Sequence, residues 1–527
     1  MDKKKRLITM VVTLLVLTIG VTFAYFMART GEGKQAGTTI TTGTVDDLKF
    51  NVSKENLSLN INQFNFASGS GNLSDNVTAT ASLKANSTKK TAKYNYYVYF
   101  QIESNDYVYT TTDKKPEIVL SITGPNGEIT SVDGLTYVSA TNADGTVVKG
   151  FDITESKPSV VKIADSFEIS SSSSTNYTNQ EWTFTVTFIN LDTNQVGNQN
   201  KNLTSKVLIQ QEEIKPTLAV YVISQYTGTQ GENNIYYHDA SLTNGANDNS
   251  YRYAGASDQV NNYVCFGSST TPCPADNLYR IIGVFGDKVK LIKSDYATST
   301  LLGTDGDYKQ AYTATGYGSS NYKGNNLANV AAYTWNYNGL SDHIGNSQYG
   351  SNTWSTSLLN KTNLNKNFIT NIGADWAAKI DKTTWKVGGN TWANIGTQPD
   401  KTAYQNEIVS PVTTNTTDNA TTYSAKIGLM YASDYGFAAA PSAWATQLSS
   451  YNGEAIKNVN WMYMGLYEWT ISRNAARAYD VFAVLYLGDV DYFSANNALA
   501  LRPVFYLSSS VNYASGSGSA TDPISIN

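Results

Sequence analysis

From Thr38 to Glu213 the sequence breaks into short runs in which apolar and polar residues alternate, closed off by Asn, Gly, Asp or Ser. "KYNYYVYFQIES", "EIVLSIT", "TYVSAT", "EWTFTVTFINLD" and "SKVLIQQEE" are such runs, and Gly124-Pro125-Asn126-Gly127 follows one of them as a turn. Alternation places successive side chains on opposite faces, so a run with one apolar face is stable only when that face is covered by another sheet. No helical period competes here. The spacing therefore predicts an antiparallel β-sandwich over 38–213, with the serine tract from Ser170 to Ser174 as an exposed loop.

Ahead of these runs, Lys3, Lys4, Lys5 and Arg6 precede an uncharged apolar stretch from Leu7 to Phe26. This is the pattern of an export signal. The stretch is also long enough for a membrane-spanning helix of roughly 20 residues, so residues 1–28 are either a signal peptide cleaved near Ala24 or Ala28 or an uncleaved anchor. The expected location is the cell surface or the secreted space, with the membrane a partner if the segment stays.

A chain of 527 residues has room for two or three domains. Charged residues make up only 15% of it, Tyr occurs 37 times, and Asn, Ser, Thr and Gly recur throughout, a texture suited to extracellular β-structure. A formal net charge of -5 leaves no basic footprint, and nucleic acid is not expected as a partner. Cys265 and Cys273 are the only thiols. In an exported chain they predict a disulfide closing a small loop, because two thiols with only His238 and His343 elsewhere cannot complete a four-ligand zinc site without distant carboxylates.

Residues 214–262 change in character. A short helix is expected after Pro216 in "KPTLAVYVISQYTG", and the Gly/Asn/Asp-rich remainder has too few apolar residues for a core of its own, so the segment reads as a connector packed against the next domain. That second large domain, 263–527, starts with the clearest hairpin of the chain. Tyr279 to Phe285 and Lys288 to Ile292 flank Gly286-Asp287, where Gly suits the first position of a type II′ turn. Leu358, Leu359, Leu364, Phe368 and Ile372 are roughly helical in period. "AKIGLMYASDYGFA" reads as a strand entering a turn, and the class of this half is α+β with long ordered loops.

Candidate chemistry is sparse. Gln398-Pro399-Asp400 has the form of a calcium tripeptide but lacks its companion Trp-Asn-Asp, and Asp305 and Asp307 lack the remaining oxygens of a calcium loop. No Gly-x-Ser-x-Gly elbow is present, and neither His sits in a catalytic setting. Glu468, Asp480, Asp489 and Asp491 lie close enough along the chain for a paired-carboxylate hydrolase, a weaker reading than exposed acidic residues. No catalytic residue, metal or cofactor is assigned.

The tract between Glu468 and Leu507 is the most informative. Ala478 to Leu487 reads as a strand, Gly488-Asp489 as a turn, Val490 to Phe493 as its return, and Leu501 to Leu507 as a final strand. Asp480, Phe482, Val484 and Tyr486 share one side of the first strand; Tyr479, Val481, Ala483, Leu485 and Leu487 share the other. One side is expected to line the core and the other to meet a partner, with Trp469, Val504 and Phe505 in the core.

Two family resemblances accompany these patterns. The export segment ending "TFAYF", then "TTITTGTVDDLKFNV" and "WTFTVTFINLDTNQVGNQNKNLTSKVLIQ", resembles the TasA/camelysin-type surface β-sandwiches of low-GC bacteria. That likeness implies an exported jelly-roll-like module able to self-assemble by strand exchange. The chain from "YVCFGSSTTPCPADNLYRIIGVFGDKVKLIKSD" through "KIGLMYASDYGFA" and "WMYMGLYEWTIS" to "GDVDYFSANNALALRPVFYLSSSVNYASGSGSATDPI" resembles bacterial C-type-lectin-like domains. It is more distantly similar to formylglycine-generating-enzyme-type folds, and its closing Arg-Pro-Val strand resembles the variable region of retroelement-diversified proteins.

The second resemblance implies a rigid frame displaying exchangeable side chains to a protein or glycan ligand. The displayed set would be Tyr463, Met464, Tyr467, Arg473, Asn474, Arg477, Tyr479, Asp480, Phe482, Tyr486, Asp489, Asp491, Tyr492, Phe493, Asn496 and Asn497. Trp469, Gly488, Arg502 and Pro503 would hold the frame. Aromatic and Arg side chains suit such a surface because they give large contact area at modest entropic cost. The expectation is a binding protein for surface display or adhesion, not an enzyme; the alternative is a structural fibre subunit.

Overall fold

Strands form where the alternation is strongest. In Leu57–Ile61 the residues Leu57, Leu59 and Ile61 are buried while Ser58 and Asn60 are exposed, and in Leu73–Lys84 the buried set is Val77, Ala79, Ala81 and Leu83. The computed structural model describes residues 46–61, 73–86, 91–156, 158–312, 318–337, 350–411 and 421–527. Residues 1–28, expected from the sequence to be an export signal or anchor, and 38–45, expected to begin the sandwich, lie outside the described residues. Among those described, no helix is long and apolar enough to cross a membrane. Two compact units divide the chain, Met1–Ile214 and Lys215–Asn527, each built mostly from antiparallel sheet with few helices.

In the first unit one sheet runs in the order Asp47–Val52, Leu73–Lys84, Thr178–Phe188, Ile118–Gly124, Val147–Asp152, Thr136–Thr141, and Gly127–Glu128 adds to Ile118–Gly124. The other runs Leu57–Ile61, Lys201–Gln210, Ala92–Asn105, Ser159–Ser171. Every pairing in both is antiparallel. The sheets share one core: Phe100 of the second stacks on Phe184 of the first at 6.0 Å, and Phe167 meets Trp182 edge-on at 5.1 Å. Part of the serine tract departs from expectation. Ser170 and Ser171 end a strand, with Ser171 buried, because the ladder to Ala92 and Lys93 extends that far.

In the second unit the main sheet runs Ile235–Tyr237, Tyr251–Tyr253, Leu278–Phe285, Lys288–Lys293, Val504–Tyr506, Ile427–Gly428, with Tyr263–Cys265 also on Leu278–Phe285. The segment 214–262 thus supplies two strands of this sheet. It also supplies a helix, Leu218–Ser224, which starts after Pro216 where the Thr217 side chain accepts from Val220 N–H. The central hairpin turns at Gly286, whose φ of 65° belongs to the left-handed region that glycine enters freely. Cys265 and Cys273 form a disulfide.

Two predicted elements take a different form. Leu359–Phe368 is a wide helix with i to i+5 bonding, which keeps Leu359, Leu364, Phe368 and Ile372 on the buried side despite spacings of five, four and four. Leu358, grouped with them by its position in the sequence, is only half-buried. After the short strand Ile427–Gly428 the expected turn is a helix, Ala432–Phe437, in which Asp434 accepts from the Tyr431 N–H at the first turn.

Candidate functional site

The tract singled out in the sequence folds as a second sheet, Glu468–Asn474, Asp480–Val484 and Val490–Ser494, with Gly389–Asn390 running parallel to its first strand. Its pairing is not plain. Trp469 faces Ala483 and Arg473 faces Val481, so the first strand spends four residues where its partner spends two. The intervening groups find other partners: Thr470 Oγ1 donates to the Phe482 carbonyl, the Thr470 carbonyl accepts from Trp335 Nε1, and Ile471 N–H donates to Met430.

The loop between the first two strands is clasped from below. The Asn352 side-chain amide reaches the carbonyls of Asn474, Arg477 and Asp480 at 2.8, 2.8 and 3.0 Å. Beneath the first strand lies the Arg502 guanidinium, bonded to both carboxylate oxygens of Glu468 and to the Met462 carbonyl. Trp469, Val504 and Phe505 are fully buried, and Trp469 Nε1 donates to the Tyr333 carbonyl.

The positions expected on a displayed face separate by burial. Tyr463, Arg473, Asn474, Asp480 and Phe482 are inside. The reason is that all five residues of Asp480–Val484 are buried, so neither side of that strand is free. Phe482 is covered by Trp392, stacked at 6.4 Å, and by Tyr492. Arg473 and Asn474 are enclosed by the parallel pairing to Gly389 and Asn390. Asp480 accepts from Ser494 Oγ and pairs with Arg477 at 3.4 Å, and burial raises its carboxyl above the usual range. Tyr463 donates its hydroxyl to the Tyr486 carbonyl.

The remaining positions reach solvent in part or in full. Arg477 and Asn497 are exposed; Met464, Tyr467, Tyr479, Tyr486, Asp489, Asp491, Tyr492, Phe493 and Asn496 are half-buried. Met464 packs against the small buried cluster that contains Tyr296, Val330, Leu466 and Ala500. Two groups stand out on the last strand, whose side chains alternate. On one side Phe493 meets Tyr467 edge-on at 5.2 Å, and Tyr467 meets Tyr486 at 5.3 Å, an aromatic trio with Asp491 on the same side of the strand. On the other side Tyr492 leans on Trp392 at 5.7 Å, and the Arg477 guanidinium lies 5.2 Å from the Tyr492 ring. Asp489 and Asp491 are both raised by burial.

Trp392 was not legible as part of this site. It lies in a different segment, and only its contact with Phe482 and Tyr492 places it there. The other acidic candidates sit in the scaffold. Asp400 is buried and accepts from the Tyr451 hydroxyl, while Asp307 accepts from Leu359 N–H, Tyr337 N–H and Thr334 Oγ1. Among the described residues no group of three or more His, Cys, Asp or Glu is gathered as a metal ion would require. No protein-family model matches the chain, and no curated protein matches it.

Proposed function

We propose that the protein is an exported surface-display or adhesion protein. In this reading the first unit is a jelly-roll-like β-sandwich stalk, and the second is a C-type-lectin-like domain that binds a protein or glycan. The observation that carries the reading is the partly exposed trio Tyr467, Tyr486 and Phe493, standing on a sheet held by the buried Glu468–Arg502 pair. Large, rigid aromatic side chains on a fixed backbone are the anchors that protein and glycan recognition uses, and Asp491 adds a polar contact beside them. Arg477, Tyr479, Tyr492, Asn496 and Asn497 extend the same tract, reach solvent in part or in full, and are the positions at which a retroelement could exchange side chains.

The test is a panel of glycans and cell-surface proteins probed with the full chain and with the double variant Tyr467→Ala/Phe493→Ala. A ligand bound by the parent and lost by a variant that is still fully folded at the assay temperature supports the reading. A ligand bound equally by both, or none in either panel, opposes it. The fibre alternative rests on the first unit alone, and electron micrographs of the purified protein separate it: long polymers favour a structural subunit, discrete particles the display protein.

A further inference from the structure

The strand Lys288–Lys293 carries two buried lysines on opposite faces, and only one of them is paired. Lys290 reaches Asp434 at 2.5 Å. Lys293 is 1% exposed, and among the described residues its ammonium has neither a hydrogen bond nor an ion pair; Asp295, Asp276 and Arg502 act on it only through space. With the rest of the side chain buried, the ammonium faces only the cavity, and burial pushes its pKa down. Directly across the hairpin stands Tyr279. It too is 1% exposed, its ring fixed by edge contacts to Phe266 and Phe505, its hydroxyl without a hydrogen bond among the described residues.

Both side chains line one cavity of about 350 Å³, a volume in the range of ordinary small-molecule sites. Its floor is closed by the buried Val330, Ala331 and Ile372, and its rim is polar and exposed at Thr300, Asn329 and Asn371. A single cation at the floor matches a single negative charge. Asp276, exposed at the rim, disfavours a dianion such as phosphate. Amides and hydroxyls at the mouth suit a molecule bearing several hydroxyl groups.

We propose that this cavity binds a hydroxylated monocarboxylate of the sugar-acid class, with its carboxylate on Lys293 Nζ and Tyr279 Oη and its hydroxyls toward the rim. The cavity shares no residue with the aromatic trio and does not depend on it. Its mouth is open, so the acid can arrive free or as the acidic end of a glycan.

Calorimetric titration of the full chain tests this with glucuronate, a glucuronate-terminated oligosaccharide, and glucose. The first two probes distinguish a free acid from a glycan end. The expected result is saturable binding of at least one acid, with glucose weaker by about tenfold or more, the scale of one charged hydrogen bond. Lys293→Met should abolish acid binding without lowering the melting temperature, because it replaces an unpaired buried charge with an apolar chain of similar length. Tyr279→Phe keeps the ring and should weaken acid binding several-fold; it decides the matter if the methionine variant does not fold. Failure of both acids to bind, glucose binding as tightly as they do, or unchanged acid binding in the variants would overturn the proposal.

Discussion

Arg502 grips both carboxylate oxygens of Glu468, through Nε at 2.7 Å and a terminal nitrogen at 2.8 Å, and neither side chain is more than 2% exposed. Such a pair fixes geometry in two directions at once, which ties the final Arg-Pro-Val strand to the first strand of the candidate face. Removing one partner strands the other in the core. Arg502→Met is therefore expected to destabilise the second unit by about 3–5 kcal/mol, and adding Glu468→Met to recover much of the loss. Urea titrations of the parent and both variants measure both quantities.

Phe482 and Phe493 sit on neighbouring strands but belong to different environments, one fully buried and the other half-buried. Phe482→Ala should cost about 3–5 kcal/mol as a core truncation, and Phe493→Ala about 1 kcal/mol. Equal costs in urea titrations would remove Phe493 from the candidate face.

Gly465 joins the face to the segment beside it. Its φ is 88°, and a Cβ there would run into the backbone carbonyl of Asn321, where Lys323 N–H donates to the neighbouring Met464 carbonyl. Gly465→Ala should cost roughly 1–3 kcal/mol. Because Asn321 also bonds the Tyr486 carbonyl, the tyrosine should shift with it, a change that side-chain NMR would report.

Glu407 gives the fold a pH dependence of definite sign. It is buried at the first turn of Ala432–Phe437, accepting from Ala432 N–H, Ser433 N–H and the Ser433 and Ser472 hydroxyls. Burial raises its carboxyl from 4.5 to about 7. Below 4.5 both folded and unfolded states hold the proton; between 4.5 and about 7 only the folded state does, so this group's contribution falls as pH rises through that window. Glu407→Gln should flatten that slope in urea midpoints measured across it. A difference between parent and variant that is the same at every pH would contradict the assignment.

Legibility in the sequence followed the range of the forces involved. Local chemistry wrote the central hairpin, since an apolar β-rich run that stops at Gly286 has few other solutions, and it wrote the helix after Pro216 through the Thr217 cap. The disulfide was legible because only two thiols exist. What failed was the inside and outside of Asp480–Val484. Alternation assigns two faces to a strand, yet here Trp392 covers one of them from a distant segment, and nothing local to Phe482 encodes that cover. Lys293 was equally hidden: in "KVKLIK" it looks like a solvated strand end, and only the fold buries it.

Sequencing of this locus across a natural population tests most directly whether, as proposed, a fixed frame presents a changeable face. The expected result is substitutions between Trp461 and Arg502 concentrated at the codons of Tyr467, Arg477, Tyr479, Tyr486, Tyr492, Phe493 and Asn497, with Glu468, Arg473, Asp480, Phe482 and Arg502 unchanged. Substitutions spread evenly over buried and exposed codons, or a tract invariant throughout, would contradict it.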